Sequence, residues 1–348
     1  MESMEKQNNN RIFYIELLRV ISMIAVVVLH TASAKINSID IGNLDWQVLI
    51  FFDSATRWCV PVFVMISGIL FLNPKKEITI KSIYQKYIPR LLVILLVWNF
   101  LYAVFSCFID HAFSLQTFIS NLLLGPVHMW FLYMIIGLYM LIPFLRKIAA
   151  DEKLLKYFLV LWFIFSSISN IAKITGLNIV TSILEDKMYI NFVIGFSGYF
   201  LLGYFLSTRN YKSIYAIIIG VICLLINFVG TYMLSIGHDI TNQSLYANLS
   251  PNIILMSIAV FVLCKNIYSQ NENINAKFRS IVNILSKYSL GIYVIHFWVL
   301  NALAMFNIDV LTLPPVINVI VLSILVFLLS LLATFILSKI KYVKNLVM

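Results

Sequence analysis

The chain has 348 residues, of which 61% are hydrophobic and only 11% charged, against about 25% charged residues in an average soluble domain. That composition excludes a soluble enzyme and predicts an all-α, polytopic membrane helix bundle; no polar stretch is long enough to form a second domain, so residues 1–348 are expected to be one unit. The net charge of +10 invites a polynucleotide partner, but the basic residues are distributed as a topology signal, which predicts no nucleic acid.

Runs of about 20 apolar residues place ten transmembrane helices, at 12–34, 48–72, 87–108, 128–147, 155–172, 189–207, 213–235, 249–269, 284–306 and 315–338. When alternate loops are assigned to opposite sides, twenty of the 25 Lys and Arg fall on one side, Lys6, Arg11, Lys75 to Arg90 and the C-terminal lysines among them. The positive-inside rule then makes both termini cytoplasmic. The first apolar run has full spanning length, so it is expected to stay in the protein as a span and not to act as a cleaved signal. Cys59, Cys107, Cys223 and Cys264 lie in or beside apolar segments without zinc or redox spacing, so packing is their expected role and no metal is expected.

The first span, "YIELLRVISMIAVVVLH" over residues 14–30, carries Glu16, Arg19 and His30. A charge at the centre of a membrane helix costs roughly 2.5 to 3.5 kcal/mol on translocon scales, so such residues normally face a protein interior or a wet cavity. At about 100° per residue, eleven steps make three turns plus about 20°, which puts Arg19 and His30 on one face about 16 Å apart along the axis. Glu16, three residues before Arg19, is placed to pair with it.

The second span carries Asp53 and Arg57 at the i, i+4 spacing of an ion pair, with Pro61 and Ser67-Gly68 placed to kink it or admit close helix contact. The third opens with "KYIPRLL", setting Lys86 and Arg90 at the cytoplasmic surface, where they suit either phosphate binding or anchoring to lipid headgroups. The fourth begins "PVHMWFLYM", whose His128 and Trp130 read as an interfacial belt. The ninth holds Tyr293 and His296 three residues apart near mid-membrane, a pair that requires hydrogen-bond partners when buried. His111 and His238 fall in outer loops and are assigned no role.

Taken together, these segments resemble a known family. Arg19-x10-His30 preceded by "IELLR", then "RWCVPVFVMISGILFL", "HMWFLYM", "YFLLGYFL" and "SLGIYVIH", in that order over nearly the whole chain, resemble the motifs of the acyltransferase 3 family of integral membrane O-acyltransferases. Among its members the chain looks most like the short enterobacterial common antigen O-acetyltransferase type, without an appended extracytoplasmic domain. The resemblance implies transfer of an acyl group, usually acetyl from cytoplasmic acetyl-CoA, to a hydroxyl of an extracytoplasmic glycan or lipid-linked saccharide at a bacterial cell membrane. It puts the family's essential His on His30 and its Arg on Arg19. The sequence departs from the family at the start of the third span, where Lys86-x3-Arg90 around Pro89 stands in place of an Arg-x2-Arg pair.

The chemistry fits these residue types. A sugar hydroxyl is a poor nucleophile near neutral pH, and a histidine can accept its proton or carry the acyl group transiently; His30 is the expected base or carrier. Arg19, positioned by Glu16, would hold anionic groups of the donor, with Lys86 and Arg90 as further CoA-binding candidates. Arg57, Trp130 and Tyr293 are the unranked candidates for oxyanion donor, with His296 beside them. The competing reading is a transporter or flippase of a lipid-linked sugar, which also uses intramembrane Glu, Arg and His; the absence of a clear duplication between halves weighs against an inverted-repeat carrier. A scaffold whose polar residues only specify helix packing is a third reading.

Overall fold

The computed structural model describes residues 13–109, 114–268 and 274–348; Lys6, Arg11 and His111 lie outside them. No strand occurs among the described residues, and nine of their helical segments, Leu44–Leu72 counted across its break, are long and apolar enough to cross a membrane. An α-helix satisfies its own backbone hydrogen bonds, which is what a chain of this composition requires in a bilayer.

Twelve α-helices of ten residues or more occur among the described residues. They are α1 (Phe13–Ser33), α2 (Leu44–Thr56), α3 (Cys59–Leu72), α4 (Ile88–Ile109), α5 (Leu115–Leu124) and α6 (Trp130–Ala150), followed by α7 (Glu152–Ile174), α8 (Ser197–Ser207), α9 (Ser213–Ser235), α10 (Pro251–Tyr268), α11 (Ala276–Met305) and α12 (Pro315–Ser338). Their starts are fixed by side chains that accept the free N–H groups of the first turn: Asn43 before α2, Ser114 before α5, Asp151 before α7 and Asn275 before α11. Helix α1 is apolar nearly all round and is packed by α2, α3, α10, α11 and α12, which makes it the central element of the bundle.

Two departures from the sequence expectation have local causes. The second expected span is broken at Arg57–Trp58, between α2 and α3. Pro61 has no N–H to give to the Arg57 carbonyl and its ring crowds that carbonyl, so the helix restarts one turn earlier. The sixth expected span, 189–207, is not one helix. Its first part, after a left-handed residue at Tyr189, is a single turn over Ile190–Phe192 and an irregular stretch whose Gly195 carbonyl accepts from Trp162 Nε1 on α7 at 2.8 Å. Only the eleven residues of α8 are helical. Arg209, just past α8, pairs with Glu152 at the start of α7 at 2.8 Å, so this segment still returns to the end from which α7 set out.

Consistent with that return, the start of α1 (Phe13) meets Tyr268 at the end of α10 and Phe278 at the start of α11. Arg146 near the end of α6 donates to the carbonyls of Phe71, Asn73 and Lys76 past α3, and Lys265 donates to those of Leu206 and Arg209. One end of the bundle therefore gathers Lys75 to Arg90, Arg146, Arg209, Lys265 and the C-terminal lysines, while Lys35, Lys173 and Lys187 lie at the opposite end. The C-terminal turn, Lys344–Val347, folds back against α4, α11 and α12, with its Leu346 carbonyl accepting from Trp98 Nε1 at 3.2 Å. The four cysteines are free; Cys59, Cys223 and Cys264 are buried in the packing and Cys107 is half-buried.

Helices α3 and α8 approach closely because glycines face each other's backbone. A Cβ on Gly68 would lie 1.8 Å from the Phe200 carbonyl oxygen, and one on Gly203 would lie 2.1 Å from the Met65 carbonyl oxygen. Small residues at a helix crossing are how membrane helices gain contact without a hydrophobic driving force.

Candidate active site

Helices α1 and α11 both run from the basic end to the opposite end, and their polar residues meet in register. Near the basic end Arg19 Nη1 donates to Glu16 Oε2 and to Ser286 Oγ, each at 3.0 Å, and the Ser286 hydroxyl donates to the same carboxylate oxygen. Further along the pair His30 of α1 meets His296 of α11, with ring centres 5.2 Å apart. At 1.5 Å per residue on either helix, the two levels are about 15 Å apart. Arg19 and His30 thus share the α11-facing stripe, as their spacing indicates.

A third histidine joins the upper level. His128 lies in the single turn Val127–Met129 that precedes α6, and its ring is 6.2 Å from His30 and 5.2 Å from His296. It is only 2% exposed, not interfacial as its place beside Trp130 suggests in the sequence. Its depth is set by α1 and α11, which are remote in the chain, and the sole trace of it in the sequence is its position in "HMWFLYM". The hydroxyl of Tyr293 donates to the His128 carbonyl, and that of Tyr102 donates to the Val294 carbonyl at 3.0 Å, tying α4 to the same level. The Phe297 ring closes the cluster against His30 and His128.

The hydrogen bonds decide which nitrogens are available. His296 Nδ1 is 2.6 Å from the Tyr293 carbonyl oxygen, so Nδ1 carries the proton and Nε2 offers a lone pair. His296 Nε2 and both ring nitrogens of His128 are buried without a partner among the described residues. A buried polar group left unmatched costs about 1 to 3 kcal/mol, so three at one level are the mark of a site that receives polar groups.

Arg57 sits at the α2–α3 break. Its Nη2 is 2.5 Å from Asp53 Oδ2, the ion pair read from the i, i+4 spacing, and its guanidinium lies 4.2 Å from the centre of the Tyr246 ring. Asp53 is fully buried, and Arg57 Nε has no partner among the described residues. Tyr246 outside the spans has its phenol pushed up to about 12 by burial, so it stays neutral under the guanidinium. Trp130 is not part of the histidine cluster: it is 37% exposed and packs on Phe196 at 5.5 Å and Phe131 at 6.4 Å. Lys86 lies in the π-turn Ile83–Tyr87 ahead of α4, and Arg90 follows in the first turn of α4, its guanidinium donating to the Met348 carbonyl. His238 is exposed at the opposite end.

A cavity of about 250 Å³ runs from the Arg19 level toward the histidine level and ends short of the three rings, none of which lines it. Arg19 and Arg90 line it toward the basic end, Ser67 and Tyr139 lie on its walls, and Val26, Phe131 and Tyr293 line it beneath the histidines. Arg90 also lines an open cleft of about 690 Å³ on the basic surface, with Lys86, Lys287 and Lys344. One guanidinium therefore stands where a cationic surface cleft meets an interior passage leading toward His30.

Arg19 Nη1 bonds Glu16 and Ser286 while the guanidinium also lines the cavity. A shorter-reaching, compact ammonium cannot hold both partners and face the cavity as the planar fork does, so Arg19→Lys is expected to raise the KM for a ligand that enters past it by about tenfold, equivalent to about 1.4 kcal/mol. Initial rates against ligand concentration check this; unchanged kinetics would reduce Arg19 to a charge balancing Glu16.

A family model described as an acyltransferase domain, acyltransferase 3, matches residues 12–339. No curated protein and no solved structure matches the chain.

Proposed function

The chain belongs to the acyltransferase 3 family of membrane acyltransferases, and from that premise we propose that it moves an acetyl group from cytoplasmic acetyl-CoA to a hydroxyl of an extracytoplasmic or lipid-linked glycan, in the manner of the short enterobacterial common antigen O-acetyltransferase type, in a bacterial cell membrane. The observation that carries this reading is the passage lined by Arg90 and Arg19 at one end and by Tyr293 at the other, just under the three histidines. The basic end is cytoplasmic by the positive-inside rule.

In this reading the phosphates of CoA rest in the cleft of Lys86, Arg90, Lys287 and Lys344, where charge-assisted contacts suit them. The pantetheine arm enters past Arg19, and the roughly 15 Å between the Arg19 and His30 levels matches its extended length. His30 takes the proton of the acceptor hydroxyl as that oxygen bonds to the thioester carbonyl carbon. The carbon–sulfur bond then breaks, the ester leaves with the glycan, and the proton on His30 passes to the CoA thiolate. His296 and His128 hold the His30 ring between them. Tyr293 has its hydroxyl engaged at the His128 carbonyl and Trp130 faces another pocket, which makes Arg57, with a spare donor and a carboxylate fixing it, the first choice for stabilising the oxyanion.

The test is in cells: labelled acetate is expected to reach surface glycan only when the gene is present. Label that is independent of the gene, together with gene-dependent export of unmodified glycan, would favour a transporter instead.

A further inference from the structure

A second pocket, of about 370 Å³, opens at the end opposite the basic one. It is lined by Trp130 and Phe196, whose rings pack 5.5 Å apart, and by Ser169, Asn170, Lys173 and Asn248. Its size falls within the ~300–1,000 Å³ of ligand pockets, which pair apolar surface with a few placed polar groups. It abuts the inner cavity through one pair of adjacent rings: Trp130 lines the outer pocket, Phe131 lines the inner cavity, and Phe131 packs on Tyr293 at 5.6 Å. Trp130 is also only two residues from His128.

We propose that this pocket is the acceptor subsite and that it holds an uncharged pyranose, presenting one of its hydroxyls toward the histidines; this rests on the acyltransferase reading above. The apolar C–H face of a pyranose ring matches an indole face, and its hydroxyls match the carboxamide of Asn248, which makes no side-chain bond among the described residues, and the carbonyl oxygen of Asn170, whose NH2 is held by the Ser166 and Leu249 carbonyls. The sugar is uncharged because Lys173, the one cation lining the pocket among the described residues, is met by Glu185 at 2.7 Å, and Glu185 is itself held by Ser169. Those contacts keep the Glu185 carboxyl below the usual carboxylate range, so it stays ionised and keeps Lys173 matched. An anionic sugar would set a second negative charge against the Glu185 carboxylate beside the same ammonium.

The same uncharged sugar could arrive on a membrane lipid carrier or in a finished polymer, and the experiment separates the two. The protein in lipid nanodiscs is titrated with methyl β-D-glucopyranoside, methyl N-acetyl-β-D-glucosaminide and, as the charged comparison, methyl β-D-glucuronide, with binding read by saturation-transfer NMR. Binding of the uncharged glycosides, at least tenfold weaker in Trp130→Ala and Asn248→Ala, kept in Trp130→Phe and kept in His30→Ala, supports the subsite. Preference for the glucuronide, or binding that ignores both alanine substitutions, overturns it. Acetyl transfer is followed in parallel: normal transfer by Trp130→Ala removes the subsite and leaves the enzyme reading intact, whereas Trp130-dependent sugar binding without any transfer by the unmodified protein removes the enzyme reading. With the subsite supported, label in solvent-extractable glycolipid identifies the lipid-borne acceptor and label confined to polymer identifies the finished glycan.

Discussion

Replacing His30 with alanine is expected to lower acyl transfer by about 10²- to 10⁴-fold, the range over which a positioned general base contributes. His30 is the histidine on the α1 stripe, above the passage that begins at Arg19, and it is held by ring contacts to His128 and His296 at 6.2 and 5.2 Å. Both neighbours are buried more deeply than His30, so His30 is the member best placed to meet an incoming hydroxyl. It makes only ring contacts to those residues, so truncation should leave a folded, inserted protein, checked by monodisperse elution in detergent. Transfer rates of purified variants measure the effect, and full activity in His30→Ala would move the base elsewhere. An acyl-carrying His30 would lose the same activity, and mass spectrometry of the protein quenched during turnover separates carrier from base.

The second large effect is on folding. Gly203→Val is expected to destabilise the protein by about 3 kcal/mol or more, at the upper end of overpacking costs, because the Cβ alone would lie 2.1 Å from a backbone oxygen of α3 that cannot move as a flexible side chain does. Gly68→Ala should behave similarly against Phe200. Gly137→Ala is the control: it faces outward on α6 with nothing within 4 Å, and helix propensity favours alanine there by about 0.5 to 1 kcal/mol. Thermal unfolding followed by exposure of the buried Cys59 thiol orders the three. A Gly203→Val protein as stable as the Gly137→Ala control would mean that α3 and α8 do not touch in this way.

Short-range interactions leave their mark in the sequence and long-range ones do not. Pairs within one helix were legible: Glu16 with Arg19 and Asp53 with Arg57 have the expected partners, because three- and four-residue spacings fix neighbours on a helix face. The stripe holding Arg19 and His30 was legible for the same reason. Residues whose environment comes from other helices were not. Ser286, the third member of the Arg19 network, and His128, the third histidine, owe their roles to α11 packing on α1 and to the turn before α6 meeting both, and no local spacing encodes that. Pro61 did announce the break at Arg57. The irregular stretch before α8 was hidden because its apolar residues read as a span; it is the Gly195 carbonyl meeting Trp162 of α7, a tertiary contact, that accompanies the loss of helix there.

The central claim is that the donor reaches His30 from the basic, cytoplasmic end through the passage past Arg90 and Arg19. Inside-out membrane vesicles test it, with acetyl-labelled CoA supplied only to the exposed cytoplasmic face and label followed onto the enclosed glycan. The account predicts protein-dependent transfer from that face, lost in His30→Ala and requiring no second soluble acyl carrier. Transfer only when acetyl-CoA is enclosed on the other side would contradict it.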